Sequence, residues 1–297
     1  MKYLFVGKEF GLLKRGGFTI TKRFCEHFSD LAEFIPSDEL TSLDKVKDYK
    51  KIIFRTQVPS AYKVHVNGVS LRNINHLVYI RQEHNNSLFN SCTNGFHYFK
   101  QFKSIKNYIP LITPFSVEKV KRERPCLGFY ERNFITKDSF DWFVNMVKEL
   151  QTDVDLYFMG NTTILNFISM SKHVKSVTHT FDNKEFYANV THYVYPKSKM
   201  WVDPFPHSML EGIQTDCQII CPTISGRDHM DGVDDILDCI EYHTTFNPDV
   251  YFDNSKTVLN WKYFAKFYEK AFENDFEYQF DRNKYTKFNE WIEREIM

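Results

Sequence analysis

No apolar run in this chain approaches the ~18–20 residues that a membrane-spanning helix needs, which excludes a helical span. The opening stretch, MKYLFVGKEFG, is an apolar strand ended by Gly7 and is too short for the core and cleavage site of a signal peptide. A cytoplasmic protein is therefore expected. No two cysteines form a CxxC pair: Cys25, Cys92, Cys126, Cys217, Cys221 and Cys239 are scattered. That argues against a disulfide framework or a zinc ribbon and in favour of buried free thiols. No cluster of His, Asp and Cys has ligand spacing, so no metal is expected. The dinucleotide fingerprint GxGxxG is missing, as are internal repeats and low-complexity segments. Net charge is missing too, at zero.

That zero conceals an asymmetry. Residues 1–124 carry 21 Lys and Arg against 11 Asp and Glu, and residues 125–297 carry 17 against 27. A basic half opposed to an acidic half predicts that one part meets a polyanion; two halves that merely complement each other would look the same. The 297 residues suffice for two domains of about 100–150 residues each. Hydrophobic residues make up 42 % of the chain, and 29 Phe and 17 Tyr supply much of the core.

Short apolar runs alternate with helix-like segments. KYLFVG, KKIIFRT, HLVYIRQ, PCLGFY, DLYFMG, THYVYP and CQIICP read as strands buried on both faces. Between some of them lie amphipathic stretches such as TITKRFCEHFSDL and SFDWFVNMVKEL. This alternation predicts an α/β fold of two Rossmann-like domains with parallel sheets. Proline and charge in PFSVEKVKRERP mark the boundary. The division expected is 1–118 for a first domain and 119–275 for a second. A helix within 276–297 should then pack back on the first domain. Ligands of such folds bind beyond the carboxyl ends of the strands, so the loops after strands are the places to search.

Four stretches stand out there. KRGGFTITK offers Gly16 and Gly17 as a turn that lets backbone approach a ligand before FTITK starts a helix; a plain glycine turn has the same appearance. RQEHNNS carries Glu83 and His84, able to orient hydroxyls or move protons, although a solvated loop is equally polar. GFYERNFITKDSFDWF places Arg132 and Lys137 before a helix, a pairing that suits a diphosphate, although two exposed cations beside a helix start are common in any case. DPFPHSMLE sets Asp203 in a loop stiffened by Pro204 and Pro206, with Glu211 about two turns into the helix that follows.

The spacing of Asp203 and Glu211, with seven residues between, is similar to the paired acids of retaining glycosyltransferases of the two-domain GT-B type. The order of motifs over about residues 1–240 resembles one family in particular, the DNA α-glucosyltransferases of T-even bacteriophages. The resemblance is carried by RGGFTITKRF, FRTQVPSAY, RQEHNNS, GFYERNFITKDSF, DLYFMGN and SMLEGIQTDCQIICP, in that order. Glu83 falls where that family has a catalytic aspartate, and the chain is roughly a hundred residues shorter.

The resemblance implies a GT-B fold whose two domains face each other across a cleft. It implies a retaining, metal-independent transfer of a sugar, glucose or arabinose, from a UDP-sugar to 5-hydroxymethylcytosine in double-stranded phage DNA, a modification that protects against host restriction. Under it Glu83, His84 and Asp203 are catalytic, while Gly16, Gly17, Arg132, Lys137 and Glu211 hold the donor. Lys100, Lys103 and Lys106, interleaved with aromatics in FHYFKQFKSIKNY, are expected to meet DNA. The enzyme is expected to be a monomer in the host cytoplasm, with no cofactor and no membrane partner. The alternatives are a GT-B enzyme acting on cell-envelope saccharides and a catalytically silent nucleotide-sugar-binding protein.

Overall fold

The structure, a computed structural model, describes residues 1–7, 16–36, 39, 48–55, 65–66, 69–70, 76–79, 94–96, 107–108, 112–130, 137–160, 171–196, 206–222, 231–274, 280–281, 284–285 and 287–297. The chain divides into two compact units: Met1–Pro114 with Trp261–Met297, and Phe115–Asn260.

In unit 1 the elements run β1 (Tyr3–Gly7), α1 (Gly16–His27), β2 (Ala32–Pro36), β3 (Lys51–Arg55), β4 (His65–Val66), β5 (Val69–Ser70), β6 (His76–Tyr79), β7 (Asn94–Phe96) and β8 (Asn107–Tyr108). Five of these strands form one parallel sheet in the order β2-β1-β3-β6-β7. The order reverses between β1 and β3, where Gly7 pairs with Arg55 at the carboxyl ends. That reversal is the crevice at which doubly wound sheets bind ligands.

Unit 2 comprises β9 (Cys126–Tyr130), α2 (Lys137–Lys148), β10 (Val154–Met159), β11 (Val174–Thr180), α3 (Asn183–Asn189), β12 (His192–Val194), α4 (His207–Gln214), β13 (Gln218–Ile220) and α5 (Asp231–Leu237). Its sheet is parallel in the order β11-β10-β9-β12-β13, the Rossmann order, with the reversal between β9 and β12. β9 is buried along its whole length because helices cover both faces of such a sheet, which is why its run CLGFY has no polar alternation. On α2, Phe143, Met146 and Val147 line one face and meet Leu127, Phe129, Leu156 and Phe158 in the core.

The chain then returns to unit 1 with α6 (Trp261–Glu273), β14 (Phe280–Asp281, antiparallel to β8) and α7 (Phe288–Glu295). α6 belongs with unit 1 rather than with residues 119–275. Its buried stripe of Phe264, Phe267, Tyr268, Ala271 and Phe272 needs an apolar partner, and α1 and β1 provide one. Phe24 meets Tyr268 edge-on at 4.9 Å and stacks on Phe272 at 5.9 Å. The Tyr3 hydroxyl donates to the Phe272 carbonyl at 2.9 Å. Trp291 of α7 packs edge-on against Phe267 at 5.3 Å.

The fold is thus α/β, with two Rossmann-like units in series, the make-up that the GT-B reading calls for. The predicted strands appear as β1, β3, β6, β9, β10, β12 and β13.

Candidate functional site

The carboxyl edge of the unit 2 sheet is built from three pieces. β9 ends on Tyr130, whose ring stacks on Phe186 at 5.3 Å and meets Tyr187 and Tyr193 edge-on. α3 begins at Asn183, behind the N-cap Asp182, whose side chain accepts from the Glu185 N–H at 2.9 Å. α4 begins at His207, and every residue from His207 to Ile213 is buried.

The three pieces meet at Glu211. Its Oε2 accepts a hydrogen bond from Asn183 Nδ2 at 2.8 Å, and Asn183 Oδ1 accepts from the Tyr130 hydroxyl at 2.5 Å. A carboxylate can only accept, so the Asn183 amide must turn its nitrogen to Glu211 and its oxygen to Tyr130. Tyr187 ties the same helices together one turn further on, donating to the Ser208 carbonyl at 2.6 Å. Burial holds the Tyr187 phenol well above its ordinary range, so it remains a donor.

Close packing of α3 on β9 makes this meeting possible. A Cβ at Gly128 would lie 2.3 and 2.6 Å from the two Val190 methyls and 2.8 Å from Phe186 Cζ. Only glycine lets α3 sit that low over β9.

α4 starts where the prolines direct. Pro206 (φ −72°, ψ 94°) stands before the first turn, and its carbonyl accepts from the Met209 and Leu210 N–H groups at 3.0 and 3.3 Å. Glu211 is the fifth residue of α4, just over one turn in rather than two. Its side chain is 7 % exposed. The helix ends in a Schellman motif: Asp216 takes φ 56°, its N–H reaches the Ile213 carbonyl, and Cys217 N–H reaches that of Gly212.

Lys137 is the first residue of α2, the helix between β9 and β10. It is exposed and lies 3.3 Å from Asp141 on its own helix. Gly16 and Gly17 form the first turn of α1, not a turn ahead of it, so the helix starts two residues earlier than FTITK suggested. Glu83, His84, Lys100, Lys103, Lys106, Arg132 and Asp203 lie outside the described residues.

The structure therefore brings Glu211 together with Tyr130 and Asn183, neither of which was singled out in the sequence. The signal that could have located Asn183 is Asp182, an N-cap residue type directly ahead of a helix. Among the described residues no group of three His, Cys, Asp or Glu is arranged to hold a metal ion. No helix among the described residues is long and apolar enough to cross a membrane.

No protein-family model and no curated protein matches the chain. Solved structures do. WaaG, a glycosyltransferase involved in lipopolysaccharide biosynthesis, is 11 % identical with a TM-score of 0.41, over 83 % of this chain and 87 % of that one. A Listeria monocytogenes protein described as a UDP-N-acetylglucosamine 2-epimerase is 8 % identical with a TM-score of 0.41, over 95 % of this chain and 91 % of that one. At these scores function has to be read from the residues of this chain.

Proposed function

We propose that the protein is a GT-B glycosyltransferase that moves a sugar from a UDP-sugar to 5-hydroxymethylcytosine in DNA. The observation that carries the donor half is Glu211: a carboxylate held at the strand-order reversal of a Rossmann-ordered sheet, on the helix after β12. A carboxylate there is suited to accept both hydroxyls of a ribose, as charge-assisted bonds. Lys137 supports the same reading. Its pairing with Asp141 is an exposed i, i+4 contact, worth a few tenths of a kcal/mol, so a diphosphate beyond β9 can draw it away at little cost.

The acceptor half rests on the resemblance of the motif order to phage DNA α-glucosyltransferases. The charge of unit 1, with 24 Lys and Arg against 17 Asp and Glu, is consistent with a polyanionic acceptor. In this reading Glu83, His84 and Asp203 serve the reacting sugar and Arg132 with Lys137 the leaving diphosphate, whose developing charge they stabilise. Retention of configuration and independence of metal belong to the same proposal.

One incubation series tests it. Several UDP-sugars, glucose and arabinose among them, are mixed with hydroxymethylated or plain DNA, with and without chelator, and the nucleosides are read by mass spectrometry. One added sugar mass per hydroxymethylcytosine, none on cytosine, and no loss in chelator is the expected result. Labelling of a saccharide or lipid acceptor with hydroxymethylated DNA left unchanged would overturn the DNA assignment in favour of a cell-envelope acceptor.

A further inference from the structure

The Tyr130–Asn183–Glu211 chain has a use beyond holding helices together. Two direct bonds, at 2.5 and 2.8 Å, run from the hydroxyl at the end of β9 through the amide at the start of α3 to the carboxylate on α4. Each bond polarises the next, and the direction of donation is forced by the carboxylate at the end. The Tyr130 hydroxyl is itself placed by packing, since its ring is 5 % exposed and stacked on the fully buried Phe186.

A carboxylate rotates about its last bond unless something sets its plane. Asn183 is in position to set it, because its amide donates to Oε2 from a fixed place at the start of α3. A ribose presents two adjacent hydroxyl donors, which need both carboxylate oxygens in a fixed plane. We propose that Asn183, anchored by Tyr130, is a positioning residue that orients Glu211 for the cis-diol of a nucleotide ribose. Asn183 thereby sets the preference for ribonucleotide over 2′-deoxyribonucleotide donors. The proposal rests on the donor-site reading of Glu211.

The test is calorimetry of UDP and of 2′-deoxy-UDP binding to the wild type, Glu211→Ala, Asn183→Ala and Asn183→Asp, with melting curves beside it. The wild type is expected to prefer UDP by about 10-fold or more, one charge-assisted bond. Asn183→Ala should lose most of that preference, with UDP weakened about 10-fold and 2′-deoxy-UDP changed less than about threefold. Asn183→Asp carries an extra acid in the first turn of α3, a favourable place, so the variant is expected to fold.

Asn183→Asp sets two carboxylates within hydrogen-bond distance, which raises the pair's proton affinity. Its UDP affinity relative to the wild type should be poor at pH 8 and recover as the pH falls towards 5, when the shared proton restores a donor to Glu211. A merely structural residue would not produce that recovery. If Glu211→Ala binds UDP like the wild type, the donor-site reading itself fails. If Glu211→Ala loses UDP while Asn183→Ala keeps both affinity and preference, only the positioning role is overturned. Should Asn183→Ala melt below the assay temperature, Asn183→Asp decides: a relative affinity flat between pH 8 and 5 overturns the proposal.

Discussion

At the scale of single residues, unit 2 treats two of its buried ionisable side chains in opposite ways. Glu211 is given a donor, Asn183, on a neighbouring helix. His192, with no exposed surface, is kept neutral: burial, with His243 near it, pushes its pKa down to about 4. Thr191 Oγ accepts from the Cys126 N–H at 2.8 Å and donates to the Cys126 carbonyl at 3.1 Å. The His192 Nδ1 lies 2.9 Å from that hydroxyl, and Nε2 is buried with no hydrogen-bond partner among the described residues. Because the unfolded chain takes up the proton near pH 6.5 and the folded one only near 4, stability is intact above about 6.5 and is lost as pH falls to about 4. The loss is on the order of 3 kcal/mol. Urea midpoints across pH 4–7 should show it, and His192→Leu should flatten the slope over that window. An equal slope in the variant would assign the acid sensitivity to other groups.

At the scale of elements, two local features govern how α3 and α4 sit. Gly128→Ala drives a methyl into Val190 and Phe186, an overpacking that costs about 1–3 kcal/mol or more. Val190→Ala opens the space, so the double variant should be more stable than the sum of the two single losses predicts, as measured by thermal unfolding. At the other end of α4, Asp216 holds φ 56° and is exposed. Glycine adopts that conformation without strain, so Asp216→Gly should stabilise the protein by about 0.5–1 kcal/mol. A lower melting temperature would show that the carboxylate contributes more than the backbone conformation costs.

At the scale of the whole molecule, redrawing the boundaries changes the charge argument. Counted by units, the basic excess of unit 1 is seven, against ten for residues 1–124: residues 115–124, with 4 Lys and Arg against 2 Asp and Glu, fall in unit 2, and the returning segment 261–297 carries 7 Lys and Arg against 8 Asp and Glu. If DNA is held through phosphates, affinity for a duplex should drop about 10-fold or more between about 50 and 200 mM salt even for a few contacts. Charge reversal at Lys100, Lys103 and Lys106 should weaken DNA binding and leave UDP binding unchanged. A fluorescence-anisotropy salt titration checks both, and a flat response removes the electrostatic case for a DNA partner.

The strands at the centre of both sheets were legible in the sequence, since burial on two faces writes an uninterrupted apolar run such as CLGFY. β11 was not legible: it stands at one edge of its sheet, exposed over most of its length, and VKSVTHT carries no run to read. The helix at DPFPHSMLE was readable because proline constrains backbone whatever surrounds it, and so Glu211 was found. Asn183 could not be found that way. Its meaning comes from a partner 28 residues on, brought within 2.8 Å only because α3 crosses low over Gly128. Likewise the aromatic stripe of α6 has its unit decided only by the contacts of Tyr268 and Phe272 with Phe24 and Tyr3. Local chemistry is written residue by residue in the chain, whereas the choice of partner for an apolar face or a buried polar group is made only when distant segments compete for the same core.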